Sequence, residues 1–177
     1  MTPRMRSGQQ PSGKSDWETP DDLMAVLRAE FGEFDLDPCA TYYTHKAPNY
    51  FNLLADRDGL VLSWCKETQW WGISNLSPAN VYCNPPYGRN ISKWIEKCCL
   101  EVKRGNCEIV VALLPVATDT HWWQNWVASA TEVRFLKGRV HFKGAAGPAP
   151  FASAIVVWRR GMLGWHRVSY WDWKAKL

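Results

Sequence analysis

Asn84-Pro85-Pro86-Tyr87 gathers, in four consecutive residues, the groups needed to hold a planar ring that bears an amino group. Neither proline can donate a backbone hydrogen bond, and both keep φ nearly fixed, so the carbonyls beside them stand rigid as acceptors. The amide oxygen of Asn84 next to such a carbonyl makes a pocket that accepts two hydrogen bonds from one amino group. Tyr87 adds a flat ring on which a base can stack. Asn-Pro and Pro-Pro are also ordinary turn formers. Position separates the two readings. An apolar strand, Val81 to Cys83, ends at Asn84, and a helix is due to begin at Ile91. Open α/β sheets bind ligands beyond the carboxyl ends of their strands.

That placement requires a sheet with covered faces. Ile109 to Leu114 is apolar on consecutive residues, as expected of a strand buried on both sides in a parallel sheet, and Pro115 ends it. The helix from Ile91 to Arg104 keeps Ile91, Trp94, Ile95, Cys98 and Val102 at helical spacing, and Gly105 stops it. Upstream, Thr19 is placed to cap a helix whose first turn holds Pro20, Asp21 and Asp22. Its apolar face is Leu23, Val26, Leu27 and Phe31, and Gly32 follows. A short strand, Phe34 to Leu36, runs into Asp37-Pro38-Cys39-Ala40 and a polar, aromatic stretch through Asn52.

Asp58 to Gln69 reads as a loop or short helix feeding a strand at Trp70 to Ile73. Downstream, Thr118 or Thr120 caps a helix bearing Trp122, Trp123, Trp126 and Val127. Strands are expected at Glu132 to Leu136 and Ala154 to Trp158, with Gly164 to Trp173 as an added edge strand. Alternating strands and helices predict a doubly wound α/β fold: a mostly parallel central sheet with helices on both faces.

The 177 residues suit one core, with residues 16–177 expected to form a single domain. Residues 1–15 are rich in Gly, Ser, Pro and Gln and carry Arg4, Arg6 and Lys14 without an acidic residue, so they are expected to form a flexible basic arm. This arm holds most of the formal charge of +4. Twelve tryptophans are an unusual load, most of it expected in the core. Six cysteines show no C-x-x-C spacing, so packed thiols are expected and neither a metal site nor a disulfide framework is indicated. No apolar stretch approaches bilayer length and residues 1–15 lack a secretory apolar segment, which leads to the expectation of a cytoplasmic protein without membrane contact.

Several segments then line up in order: Trp17-Glu18-Thr19-Pro20, Phe34-Asp35-Leu36-Asp37-Pro38-Cys39-Ala40, Asp58-Gly59-Leu60, Val81 to Tyr87, Leu113-Leu114-Pro115 with Thr118-Asp119-Thr120, Gly138-Arg139-Val140-His141-Phe142, and Ser153 to Trp158. In that order and spacing the chain resembles the small phage-type DNA N6-adenine methyltransferases, which are S-adenosylmethionine-dependent enzymes with a Rossmann-like sheet. The resemblance implies that Asn84 and the Pro85 carbonyl, shaped by Pro86 and beside Tyr87, accept the hydrogens of an exocyclic amino group and so make its nitrogen nucleophilic. It places the cofactor's methionine and ribose end at Asp37, Pro38, Cys39 and Ala40, with Trp17, Thr19 and Pro20 beside it. It places the cofactor's adenine at Asp58, with Gly59 and Leu60 packing there. One departure from the wider methyltransferase pattern is that no glycine-rich loop follows Ala40. Pro38-Cys39 superficially resembles the nucleophilic pair of cytosine C5 methyltransferases, but Cys39 reads as a packed residue because an amino-methylating tetrapeptide is already present.

The implied partner is DNA, in a bacterial or phage-infected cell, and the target base must leave the stack to reach Asn84. Tyr87 is one wall for such a base and Phe142 the implied second. Arg134, Lys137, Arg139, His141 and Lys143 form a basic cluster suited to phosphate, and the loop Gly144 to Pro150 is a candidate for reaching DNA. The tetrapeptide by itself would equally serve cytosine N4, an RNA adenine or a protein glutamine, and an inactive nucleic-acid binding module is a further alternative. The whole-chain resemblance favours adenine in DNA, and the intact Asn84, Asp37 and Asp58 argue against an inactive module.

Overall fold

In the long strand at Cys107–Pro115, Ile109, Val111 and Leu113 fill one face while Val110, Ala112 and Leu114 fill the other. A strand with two buried faces must lie inside a sheet covered on both sides. The computed structural model describes residues 17–52, 58–65 and 78–177. Within these, the strands are β1 (Leu36–Ala40), β2 (Asn49–Asn52), β3 (Ala79–Cys83), β4 (Cys107–Pro115), β5 (Glu132–Leu136), β6 (Ser153–Arg159) and β7 (Arg167–Trp171). They form one seven-stranded sheet in the order β2-β1-β3-β4-β6-β5-β7.

Two helices take opposite faces. α1 (Asp21–Phe31) buries Leu23, Met24, Val26 and Leu27 in one cluster with Tyr82, Ile109, Val111 and Leu113. α2 (Ile91–Lys103) buries Trp94, Ile95, Cys98, Cys99 and Val102 in the other, with Val81, Cys83, Val110 and Trp158. Trp64, Trp94, Trp123, Trp158, Trp171 and Trp173 are buried, whereas Trp165 is exposed. The α/β architecture and mostly parallel sheet therefore agree with the expectation. One strand departs from it: β6 runs antiparallel to both β4 and β5. A parallel return needs a crossover element, and residues 137–152 form no helix, so the chain folds straight back.

The first strand is also corrected. It runs Leu36–Ala40 rather than Phe34 to Leu36, so Asp37-Pro38-Cys39-Ala40 lies in the sheet and not after it. Pro38 has no N–H for the ladder, and the pairing with β2 slips register between Asp37 and Ala40 to accommodate it. Phe34 is a core side chain packed on Tyr82, with ring centroids 5.6 Å apart. β2, at Asn49–Asn52, was not expected at all, since a four-residue edge strand leaves little periodicity to read.

Thr19 does not cap α1. Pro20 occupies the N-cap position, its carbonyl accepting from the Met24 N–H at 3.1 Å, and within the first turn the Asp22 carboxylate accepts from the Leu23 N–H at 2.7 Å. At the tryptophan segment, Thr120 is the capping residue, its hydroxyl accepting from the Trp123 N–H at 3.4 Å. It leads into a π-helical turn, Trp123–Val127, where a regular helix was expected. The edge strand near the end is present as β7, followed by a 3-10 turn at Trp173–Lys176. The expected basic arm and the strand at 70–73 lie outside the described residues. Among the described residues no helix is long and apolar enough to cross a membrane, and no group of three or more metal-ligating side chains converges.

Candidate active site

β3 ends at Cys83 and the chain then turns through Asn84-Pro85-Pro86-Tyr87 toward α2, so the tetrapeptide sits at the carboxyl end of the parallel strands β1, β3 and β4. The Asn84 side chain is held from behind. Its Nδ2 donates to the Trp17 carbonyl and, at 3.1 Å, to Thr19 Oγ1. Both hydrogens of the amide are thereby engaged. Its oxygen, Oδ1, is buried and has no hydrogen-bond partner among the described residues. A buried acceptor without a donor costs about 1–3 kcal/mol, which is tolerated where a ligand is to supply the donor. Among the described residues no hydrogen bond engages the Pro85 carbonyl either.

Residues 17–19 form a short strap across this site. The Glu18 carbonyl accepts from the Lys143 N–H at 2.8 Å in an isolated antiparallel bridge. The Trp17 ring packs against Phe142 at 5.1 Å and edge-on to Phe151 at 5.5 Å. Tyr87 completes the cluster, edge-on to Phe151 at 5.5 Å and to Phe142 at 6.2 Å, while its hydroxyl donates to the Leu113 carbonyl at 3.0 Å. Tyr87 is half-buried, and Phe142 is only 1% exposed, lying beneath Trp17 and Phe151. Burial holds the hydroxyls of Tyr82 and Tyr87 well above the usual tyrosine range, so neither ionises near neutrality.

The Asp37 carboxyl lies one strand away. It is buried, accepting from the Cys39 N–H at 3.2 Å and from the Lys46 N–H at 3.0 Å. Burial nevertheless lifts its pKa to about 6, the two N–H groups and the Lys46 charge offsetting only part of the lost hydration. The Cys39 thiol is 3.4 Å from that of Cys83, and burial pushes it up to about 12, which leaves no thiolate for nucleophilic work. No disulfide joins any of the six cysteines among the described residues.

The turn at Asp58-Gly59-Leu60 docks on this strand. A Cβ at Gly59 would stand 2.3 Å from the Pro38 carbonyl oxygen, so only glycine allows the approach. Asp58 Oδ1 accepts from the Leu60 N–H at 2.8 Å, closing the turn on itself. Trp64 fastens it from below, donating from Nε1 to the Gly59 carbonyl at 2.7 Å and from its backbone to the buried Glu101 carboxylate at 3.0 Å. The structure thus brings Asp37, Pro38 and Cys39 together with Asp58, Gly59 and Leu60, and brings Trp17 and Thr19 to Asn84. Pro20 lies at the start of α1, next to Thr19.

The basic cluster comes apart. Arg134 is bound by Glu132 at 2.8 Å and Glu30 at 3.0 Å and lies over the rings of Phe31 and Trp171. Its guanidinium is a structural tie between α1, β5 and β7 and not the phosphate contact expected. Lys137 pairs with Asp172, and Lys143 with Asp21 at 3.0 Å. Arg139 is exposed and, among the described residues, makes no ion pair. Several contributors were not foreseen: Tyr82, whose hydroxyl is 2.6 Å from Thr19 Oγ1; Phe151; and Lys46, which pairs with Glu18 at 2.9 Å. Tyr82 lay hidden in an apolar strand, and Phe151 beyond a loop whose course no local pattern records. Tyr42 and Tyr43 also stand exposed just past β1, edge to face at 5.1 Å.

Over 121 residues the chain is 24% identical to a DNA N-6-adenine-methyltransferase of Escherichia phage T1, a match covering 68% of this chain and 44% of that relative. The chain thus spans less than half the length of the curated relative it matches. The model of the family described as DNA N-6-adenine-methyltransferase (Dam) matches residues 6–160. That stretch runs from before Trp17 through the whole of β6 and takes in each segment just described, and the chain belongs to the DNA N-6-adenine-methyltransferase family.

Proposed function

We propose that this protein transfers a methyl group from S-adenosylmethionine to the N6 amino group of adenine in DNA, acting on a base swung out of the stack. The observation that carries the reading is the Asn84 amide, whose hydrogens are consumed by Trp17 and Thr19 while its oxygen stays buried and unpaired. An orphan acceptor at the carboxyl end of a parallel sheet suits a donor that arrives with a ligand. An exocyclic amino group carries two such hydrogens, one for Asn84 Oδ1 and one for the Pro85 carbonyl. Held there, its nitrogen lone pair is drawn out of conjugation with the ring and becomes available for bond formation. Tyr87, anchored through its hydroxyl, offers the base a fixed edge of the aromatic cluster.

The residues present also fit a cationic methyl donor. The Asp37 carboxyl is buried, holds a raised pKa and gains from a positive charge placed beside it. Asp37, Pro38, Cys39 and Ala40 would hold the donor's amino-acid and ribose end, and Asp58, Gly59 and Leu60 its ring. S-adenosylmethionine, when bound, supplies an electrophilic methyl group on a positively charged sulfur. The chain's own work is to bind, to orient and to exclude water. With the sheet order observed, this reading makes the fold a Rossmann-like methyltransferase. Arg139 is the cation we assign to the DNA backbone, and Phe142 supports the base through Tyr87 and Trp17.

The test is incubation of the whole chain with methyl-labelled S-adenosylmethionine and unmethylated duplex DNA, followed by digestion to nucleosides. Label in N6-methyl-2′-deoxyadenosine, absent with Asn84→Ala, supports the reading. Label in N4-methylcytosine, in RNA or in a protein glutamine would move the substrate while keeping the site. DNA binding without any transfer would leave a binding module.

A further inference from the structure

The amide of Asn84 can sit in two orientations that exchange its oxygen and nitrogen, and the groups behind it choose between them. The Trp17 carbonyl only accepts, so it takes an N–H and repels Oδ1. Thr19 Oγ1 takes the second N–H at 3.1 Å and lies 2.6 Å from the Tyr82 hydroxyl. Whichever of the two hydroxyls donates in that pair, Thr19 keeps a lone pair for Asn84. Thr19 is 1% exposed and Tyr82 fully buried, so water does not compete for these contacts. The hydroxyl of Thr19 is therefore spent neither on capping α1, whose N-cap is Pro20, nor on solvent.

We propose that Thr19 and Tyr82 are positioning residues that set the Asn84 amide with its oxygen, rather than its nitrogen, toward the target amino group. This rests on the reading of Asn84 given above. An inverted amide would present hydrogens to a group that itself offers hydrogens, and would press Oδ1 against the Trp17 carbonyl. Tyr82 holds the Thr19 hydroxyl, Thr19 and Trp17 hold the amide, and the Glu18–Lys143 bridge and the Trp17 ring hold the strap. The cue passes from a core tyrosine to the reacting end through one buried hydroxyl.

The experiment compares Thr19→Val, which keeps shape and loses the hydroxyl, with Thr19→Ser, which keeps the hydroxyl, and with Tyr82→Phe. Two readouts are taken on the full chain: single-turnover methyl transfer with S-adenosylmethionine affinity, and exchange of the Asn84 side-chain N–H protons by NMR. Thr19→Val is expected to slow transfer about tenfold and to speed proton exchange about tenfold, with cofactor and DNA affinity within about twofold. Thr19→Ser should restore both to within about threefold, and Tyr82→Phe should fall between. The inference is overturned if Thr19→Val weakens cofactor binding with the transfer rate unchanged, if serine rescues no better than valine, or if the Asn84 protons ignore all three changes. If the wild type methylates nothing, Asn84 protons that are protected in it and released by Thr19→Val would refute the reaction and support the amide-setting role.

Discussion

Asn84, just past the end of β3, and Asp37, inside the neighbouring parallel strand β1, both hold a buried oxygen, yet the protein treats them in opposite ways. The Asn84 amide is fully donated on its nitrogen side and left without a partner on its oxygen side. The Asp37 carboxyl accepts two backbone N–H groups and still carries a pKa near 6 because burial outweighs them. A neutral orphan acceptor calls for a neutral donor such as an amino group. A desolvated carboxyl calls for a cation. On the function proposed above, the first oxygen would take the amino group of a base and the second the positively charged donor.

The comparison breaks most sharply at Asn84. Asn84→Ala is expected to lower the transfer rate about 10²- to 10³-fold, the range found when one preorganised hydrogen-bonding group is removed from a reacting centre, while cofactor affinity stays close to wild type. Rapid-quench transfer assays with parallel calorimetry would separate the two. Asn84→Asp sharpens the point, because a carboxylate cannot donate to the Trp17 carbonyl. It should lose about a hundredfold at neutral pH and recover part of that as the medium is acidified and the carboxyl regains a proton to donate.

At Asp37 the expected loss is in binding. Asp37→Asn removes the charge that a cationic donor needs, and cofactor affinity should fall about 10- to 100-fold, the scale of a charge-assisted hydrogen bond. Stability should move the other way. The folded-state pKa of about 6 lies above the ordinary 3.8, so the native state favours the protonated form. The stability from that preference is complete below about pH 3.8 and is lost as pH rises through 6, amounting to about 3 kcal/mol across the window. Chemical denaturation from pH 4 to 8 should therefore show Asp37→Asn more stable than wild type above pH 6 and level with it at the acid end. Cofactor affinity of the wild type should weaken as pH drops below about 6. A smaller effect is expected beneath the same strand: a Cβ at Gly59 meets the Pro38 carbonyl at 2.3 Å, and Gly59→Ala should cost about 1–3 kcal/mol in thermal denaturation.

How much of this could be read in advance follows from where the information lies. Asn84-Pro85-Pro86-Tyr87 announces itself because proline fixes local backbone geometry regardless of the rest of the chain. The two-sided burial of β4 is legible because no amphipathic alternation survives in it. Asp37-Pro38-Cys39-Ala40 was placed after its strand rather than in it, since the register slip that admits Pro38 depends on β2, an element with no periodic signal of its own. Thr19 looked like a helix cap because Ser or Thr before Pro-Asp-Asp has that local logic, while its actual partners, Tyr82 and Asn84, are 63 and 65 residues away. Long-range pairing also undid the basic cluster. Nothing near Arg134 in sequence reveals that Glu30 from α1 and the ring of Trp171 close over it.

That last case yields the mildest prediction, and it contrasts cations that look alike on paper. Among the described residues Arg139 is exposed without an ion pair, whereas Lys143 sits in a network with Glu18 and Asp21 and Arg134 is partly buried between Glu30 and Glu132. A cation already paired gives up less on meeting phosphate, because a carboxylate must be displaced first. Arg139→Ala should therefore weaken DNA binding several-fold and reduce the magnitude of the salt slope of the affinity by about 1, with little change in the transfer rate at saturating DNA. Lys143→Ala should alter the salt slope less and act instead through the strap, because its ammonium pairs with Glu18 and Asp21 beside Thr19. Arg134→Ala should leave the salt slope untouched and lower stability, since it takes a cation from the partly buried Glu132 and leaves Glu30 with Lys176 alone. If the three variants shared one salt slope, the division between structural and DNA-facing cations drawn from the ion pairs would be lost.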